Sequence, residues 1–168
     1  MEEQKFEEVY AKYKVMVFNI CYSYLHSIFD AEDAVQETFI KFYHKDKVFN
    51  TAEDEKFYLI RIAINASKDI IKKRIKTVKL DFDVQNIQEY ESVDLVEFIQ
   101  CLKPKYKEII ILKYVEEMSY KEISKMLRIQ EAAARKRLQR ALNELKEKKG
   151  ELNGREIEKD KKMHTRVS

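Results

Sequence analysis

The stretch that decides the fold is Ser119–Ala141, SYKEISKMLRIQEAAARKRLQRA. Tyr120, Ile123 and Leu127 stand at i, i+3 and i+7, the spacing of one apolar helix face. Ser119 suits the N-cap, and Glu122 three positions on completes a capping box. A break follows, after which Ala134, Leu138, Ala141 and Leu145 form a second apolar stripe. Arg135, Lys136, Arg137 and Arg140 are left on the other face. Two short helices meeting at a tight turn, the second basic on its exposed side, make the layout of a DNA-reading helix-turn-helix. The same residues also suit a helical hairpin with a solvated charged face, and the rest of the chain has to decide.

Working outward, only two Gly and one Pro interrupt 168 residues, so long helices with few strands are expected. Hydrophobic residues make up 45% and charged ones 38%, enough apolar material for helical cores. The N-terminal residues are acidic and lack a long apolar run, so no secretory signal is expected. No window approaches the ~20 apolar residues of a membrane span, so a cytoplasmic protein without direct membrane insertion is expected. Cys21 and Cys101 stand far apart in apolar stretches and read as reduced core thiols with no metal spacing around them.

The net charge of +3 conceals a pattern. Lys72, Lys73, Arg74, Lys76 and Lys79 form a run without an acid, whereas Leu80–Leu102 holds six acids and no base. Arg128–Lys149 then carries eight bases against three acids. Two polyanion-binding modules joined by an acidic connector would show this order.

Helical periodicity marks the blocks. Phe6, Val9, Tyr10, Tyr13, Val17, Ile20 and Tyr24 predict a long first helix. A second is expected from Asp30 as N-cap, with Ala34, Val35, Phe39 and Phe42 on its apolar side. A third runs from about Glu53 to Arg74, apolar over a surface wide enough to need partners on two sides. Periodicity is lost over 75–93 and resumes near Asp94, and Pro104 suits the first turn of a further helix. After Gly150 the chain is charged and without periodicity, which predicts a frayed or disordered tail. The expectation is an all-α protein of two small helical domains, 1–75 and 94–149, with an acidic flexible linker over 76–93 and a charged tail over 150–168.

Two further segments are candidates for function. In DAEDAVQETFIKFY (30–43), Asp33, Glu37 and Lys41 share an exposed face with Gln36 to its side. Carboxylate metal sites in bundles use Glu-x-x-His motifs, and none occurs here; His26, His44 and His164 lack companions. No phosphate loop, nucleophile elbow or zinc spacing is present, so neither catalysis nor a cofactor, metal or small-molecule substrate is expected. In KFYLIRIAINASKDIIKKR (56–74), Arg61, Asn65, Lys68, Asp69 and Lys72 fall three or four apart on one side. Aromatic rings such as Tyr58 can stack on unpaired bases, and basic groups can hold phosphates.

Taken in order, these motifs resemble those of the extracytoplasmic-function (group IV) sigma factors of bacterial RNA polymerase. DAEDAVQETFIKFY is similar to region 2.2 of that family, YLIRIAINASKDIIKKR to regions 2.3 and 2.4, and LKPKYKEIIILKYVEEMSYKEISKMLRIQEAAARKRLQRALNELK to region 4. The resemblance implies a promoter-specificity subunit without catalysis, whose partners are core RNA polymerase, promoter DNA and an anti-sigma protein. It implies polymerase contacts for Asp33, Gln36, Glu37 and Lys41. It implies minus-ten contacts for Tyr58, Arg61, Asn65, Lys68, Asp69, Lys72, Lys73 and Arg74. It implies minus-thirty-five contacts for Gln130, Arg135, Lys136, Gln139 and Arg140. The chain departs from the family pattern at Tyr58, where Trp is usual, at Arg128, where Gly is usual, and at Gln130 and Ala132–Ala134. Two other readings start from the same residues: a stand-alone helix-turn-helix regulator that needs no polymerase, and a helical carboxylate-metal protein.

Overall fold

Three helices wrap the first core. The computed structural model describes residues 3–45, 48–78 and 99–166, with side chains for 3–45, 48–75 and 99–151. α1 (Glu3–Leu25), α2 (Ile28–His44) and α3 (Ala52–Val78) pack on one another. Val17, Ile20 and Tyr24 of α1, Phe42 of α2, and Ile60 and Ile64 of α3 are buried where they meet. α2 begins earlier than expected: its N-cap is Ser27, whose hydroxyl accepts the Asp30 N–H at 3.2 Å. Asp30 therefore sits in the first turn, where the helix dipole favours an anion, and pairs with Arg74 of α3. Thr51 caps α3 by accepting the Asp54 N–H at 3.1 Å.

The second half holds α4 (Pro104–Ile110), which runs into a π-helical turn over Ile111–Val115, then α5 (Tyr120–Leu127) and α6 (Glu131–Arg166). The capping box at Ser119 is complete: the Glu122 N–H donates to its hydroxyl at 3.2 Å, and the Ser119 N–H donates to the Glu122 carboxylate at 2.7 Å. These bonds hold the Glu122 carboxyl below its ordinary range. Arg128 ends α5 in the left-handed region at φ 54°, ψ 45°. A side chain there costs roughly 1–2 kcal/mol, which explains why the related pattern has Gly. Ile123, Met126, Ala134, Leu138 and Ala141 lock α5 against α6.

The two halves share one contiguous buried cluster. α1 has no basic residue in its last turn, so the carbonyls at that end lack a cation of their own. Lys107 of α4 supplies one. Only 4% exposed, its ammonium donates to the Tyr24 carbonyl at 3.2 Å and to Gln100 at 3.1 Å, and lies 4.9 Å over the Tyr24 ring. Burial pushes it down to about 8. Gln100 in turn donates to the Ser23 carbonyl at 3.2 Å. The Tyr24 hydroxyl, buried beside this capping group, has no hydrogen-bond partner among the described residues. Tyr24→Phe is thus expected to raise stability by about 1 kcal/mol, read by urea denaturation, because it removes an unsatisfied buried group and keeps the ring under Lys107. A loss of stability would mean the hydroxyl is bonded after all.

Three further expectations are corrected. Residues 76–78 continue α3, since neither Gly nor Pro stops it; the rest of the expected linker and the block from Asp94 lie in 79–98, outside the described residues. The expected tail is helical through Arg166, because a Lys-, Glu- and Arg-rich stretch without Pro has high helix propensity despite two Gly. Cys101 is exposed, not a core thiol: it stands in a turn where Leu102 takes the buried place. Cys21 is buried, and burial raises its thiol to about 12.

Candidate nucleic-acid interface

On α2, Asp33, Gln36 and Lys41 are exposed and Glu37 is half-buried, pairing with Lys41 at 2.6 Å. A concavity of about 530 Å³ lies beside Gln36, lined by Tyr10, Val15 and Phe18 of α1 and Val35 of α2, with Lys14 and Glu32 also in its lining.

On α3, the residues that fall on one side in sequence meet different surroundings. Arg61 donates to the Met126 carbonyl of α5 at 3.1 Å, and Lys68 pairs with Glu108 of α4 at 3.1 Å. Asn65, between them, stays exposed. Asp69 and Lys72 face each other at 4.0 Å, while Lys73 and Arg74 are exposed past the contact with α4. Tyr58 does not stand free. Its ring packs on Phe49 at 5.1 Å and Phe42 at 6.1 Å, under the Lys45 ammonium at 5.6 Å. Tyr58, Arg61 and Phe49 line a cleft of about 340 Å³ whose far wall is Lys125, Met126 and Arg128 of the second half.

On α6, Gln130 precedes the helix and is exposed, as are Lys136, Gln139 and Arg140. Arg135 is exposed but engaged: its guanidinium lies 3.7 Å from Glu131 and 4.9 Å over the Tyr120 ring. The turn between α5 and α6 therefore presents a basic helix whose first turns are bare of acids beyond Glu131.

Residues 9–77 match the Sigma-70 region 2 family and residues 92–145 the Sigma-70, region 4 family. The ECF RNA polymerase sigma factor SigM of Bacillus subtilis (strain 168) is 30% identical over 151 residues, covering 83% of this chain and 92% of SigM. The chain belongs to the extracytoplasmic-function sigma factors. SigW of the same organism is 28% identical over 166 residues, covering 86% of this chain and 89% of SigW. The fold is that of the sigma factor RpoE from Bartonella quintana, solved with the anti-sigma factor NepR, at a TM-score of 0.67, 21% identity, and coverage of 86% and 96%. CnrH, solved with the cytosolic domain of CnrY, follows at 0.61 and 21% identity, covering 86% of this chain and 87% of its own.

A sigma factor directs RNA polymerase to initiate transcription and is not itself an enzyme; the stand-alone regulator and the carboxylate-metal protein are set aside with that membership. Among the described residues, no helix of this sigma factor is long and apolar enough to cross a membrane. Sequence reasoning missed the residues that tie the two sigma regions together. Lys56 reaches Glu116 at 3.8 Å, and burial raises that carboxyl while the lysine holds it down. Lys125 lies 3.4 Å from Glu53. Nothing local signals these pairs, because each joins residues some sixty to seventy positions apart.

Proposed function

We propose that this sigma factor divides promoter recognition between two modules, residues 1–75 and 94–149, joined through 76–93, whose first three residues continue α3, with 150–168 as a charged extension. Asp33, Gln36, Glu37 and Lys41 on α2 dock on core RNA polymerase. The bare apolar surface around them carries this reading. Val15, 64% exposed, lines the concavity at Gln36, and Phe29, 75% exposed, stands four residues before Asp33 on α2. Such surface is kept for a partner, since a helix face that only meets water gains nothing from it.

The first module takes the minus-ten element as single strands, through Tyr58, Arg61, Asn65, Lys68, Asp69, Lys72, Lys73 and Arg74. The second takes the minus-thirty-five element as duplex, through Gln130, Arg135, Lys136, Gln139 and Arg140. Its work lies in the cytoplasm, with polymerase and DNA. An anti-sigma protein covers one or both modules in the resting cell, a reading supported by the two solved relatives in complex with NepR and CnrY.

Transcription from a cognate promoter with purified core enzyme tests the assignment. Reversing charge at Asp33 and Glu37 together is expected to weaken core binding on the order of tenfold or more, about 1.4 kcal/mol per decade, while helix content holds. Unchanged affinity for core would make this face a solvated one.

A further inference from the structure

A second cationic feature lies beside the recognition helix, on the flank away from Arg135. Lys105 and Tyr106, at the start of α4, meet Ala133, Lys136, Arg137 and Arg140 of α6 around a concavity of about 240 Å³. Four cations converge on it. Among the described residues none of the four pairs with a carboxylate, and Lys105 has the Tyr106 ring as its neighbour at 5.0 Å. Arg135 differs, being held by Glu131 and Tyr120. From Ala132 to Asn143, α6 has no acidic residue to neutralise the cluster. Concentrated positive charge costs stability through self-repulsion, so its retention around a concave surface points to an anionic ligand.

The shape identifies that ligand. A recognition helix in a major groove about 12 Å wide faces base edges with its outermost side chains, and its flanks face the phosphates of the two walls. Lys136 and Arg140 are exposed on the outer side, whereas Arg137 is half-buried on the flank toward α4. We propose that Lys105 and Arg137, with Tyr106 beside them, form a phosphate clamp that grips the backbone of duplex DNA along one wall of the groove. Lys105 lies outside the helix-turn-helix itself, so α4 adds a DNA contact that the recognition helix lacks. The clamp reads no sequence; it sets the depth and register at which α6 lies. It rests on the reading that α6 holds the upstream duplex element.

The full chain assembled with core polymerase, titrated against duplexes with matched and scrambled minus-thirty-five elements over a range of salt, tests the clamp. Lys105→Gln with Arg137→Gln is expected to weaken both duplexes by the same factor, on the order of tenfold, and to make the salt dependence shallower by about 2 in log–log slope. Ala133→Glu, which puts a carboxylate into the concavity without disfavouring helix, is expected to act in the same direction. An unchanged slope, a loss confined to the matched duplex, or wild-type binding by Ala133→Glu would overturn the clamp. Equal binding of matched and scrambled duplexes by the unmodified chain would instead overturn the reading on which it rests, and the clamp with it.

Discussion

Between pH 8 and pH 10.5 the folded chain is expected to gain roughly 3 kcal/mol of stability that a Lys107→Met variant does not gain. Lys107 is buried at the C-terminal end of α1, and its ammonium is pushed from 10.5 down to about 8, chiefly by burial. The unfolded chain keeps that proton throughout this window while the folded chain releases it. Raising the pH therefore favours the folded state; below pH 8 both states are protonated and the dependence vanishes. The groups facing Lys107 are the Tyr24 ring and carbonyl, Gln100, Cys101 and, through Tyr24, Glu108. Burial moves the Tyr24 phenol further up, and Glu108 is held by Lys68. Groups that do not face Lys107 are common to both proteins and cancel in the difference. Urea denaturation of the two proteins across the window reads the effect. A flat difference would mean that the ammonium is solvated in the native state.

The second large effect separates the two DNA-binding surfaces. Arg140→Ala is expected to weaken upstream duplex binding by about 1–3 kcal/mol, because its side chain is exposed and unpaired among the described residues. Arg135→Ala is expected to cost less, since that guanidinium is already shared with Glu131 and Tyr120. Asn65→Ala is expected to spare duplex binding and to impair promoter opening, because unpaired bases are its target under the proposed assignment. Permanganate footprinting of the melted region beside holoenzyme binding to duplex promoter gives both readouts. Normal opening by Asn65→Ala, or a larger binding loss from Arg135→Ala than from Arg140→Ala, would reverse the assignment of these residues.

What could be read from the chain was what neighbours in sequence decide. The capping box at Ser119, Pro104 in a first turn and the stripe Ala134–Leu138–Ala141 all depend on spacings within two turns, and all stand where expected. The start of α2 is ambiguous in sequence because Ser27 and Asp30 are both good caps, and the residues between them, Ile28 and Phe29, are exposed and give no periodicity. Arg128 in the left-handed region was hidden because no Gly announces it. The burial of Lys107 was illegible for a different reason: a lysine reads as solvated, and only the docking of α4 against the end of α1 turns it into a cap. Among candidate site residues, the sequence placed Arg61, Asn65 and Lys68 on one stripe but could not tell which of them would meet α4 and α5. The pairing of Arg135 with Glu131, four residues apart, was there to be read and lowers its weight as a DNA contact.

With Arg61 committed to the Met126 carbonyl and Lys68 to Glu108, the helix proposed to take the minus-ten element carries an internal competitor. If α3 takes single-stranded DNA as proposed, the strand must displace these partners, and both cations are fully free only in molecules whose halves have parted. Apparent affinity is the intrinsic affinity scaled by that open fraction, so a chain open one time in a hundred binds about a hundredfold more weakly. On that reading, a polymerase that bound the two halves apart would abolish the penalty at a stroke. Stray single strands elsewhere in the cell cannot, because they lack a second surface with which to hold the chain open.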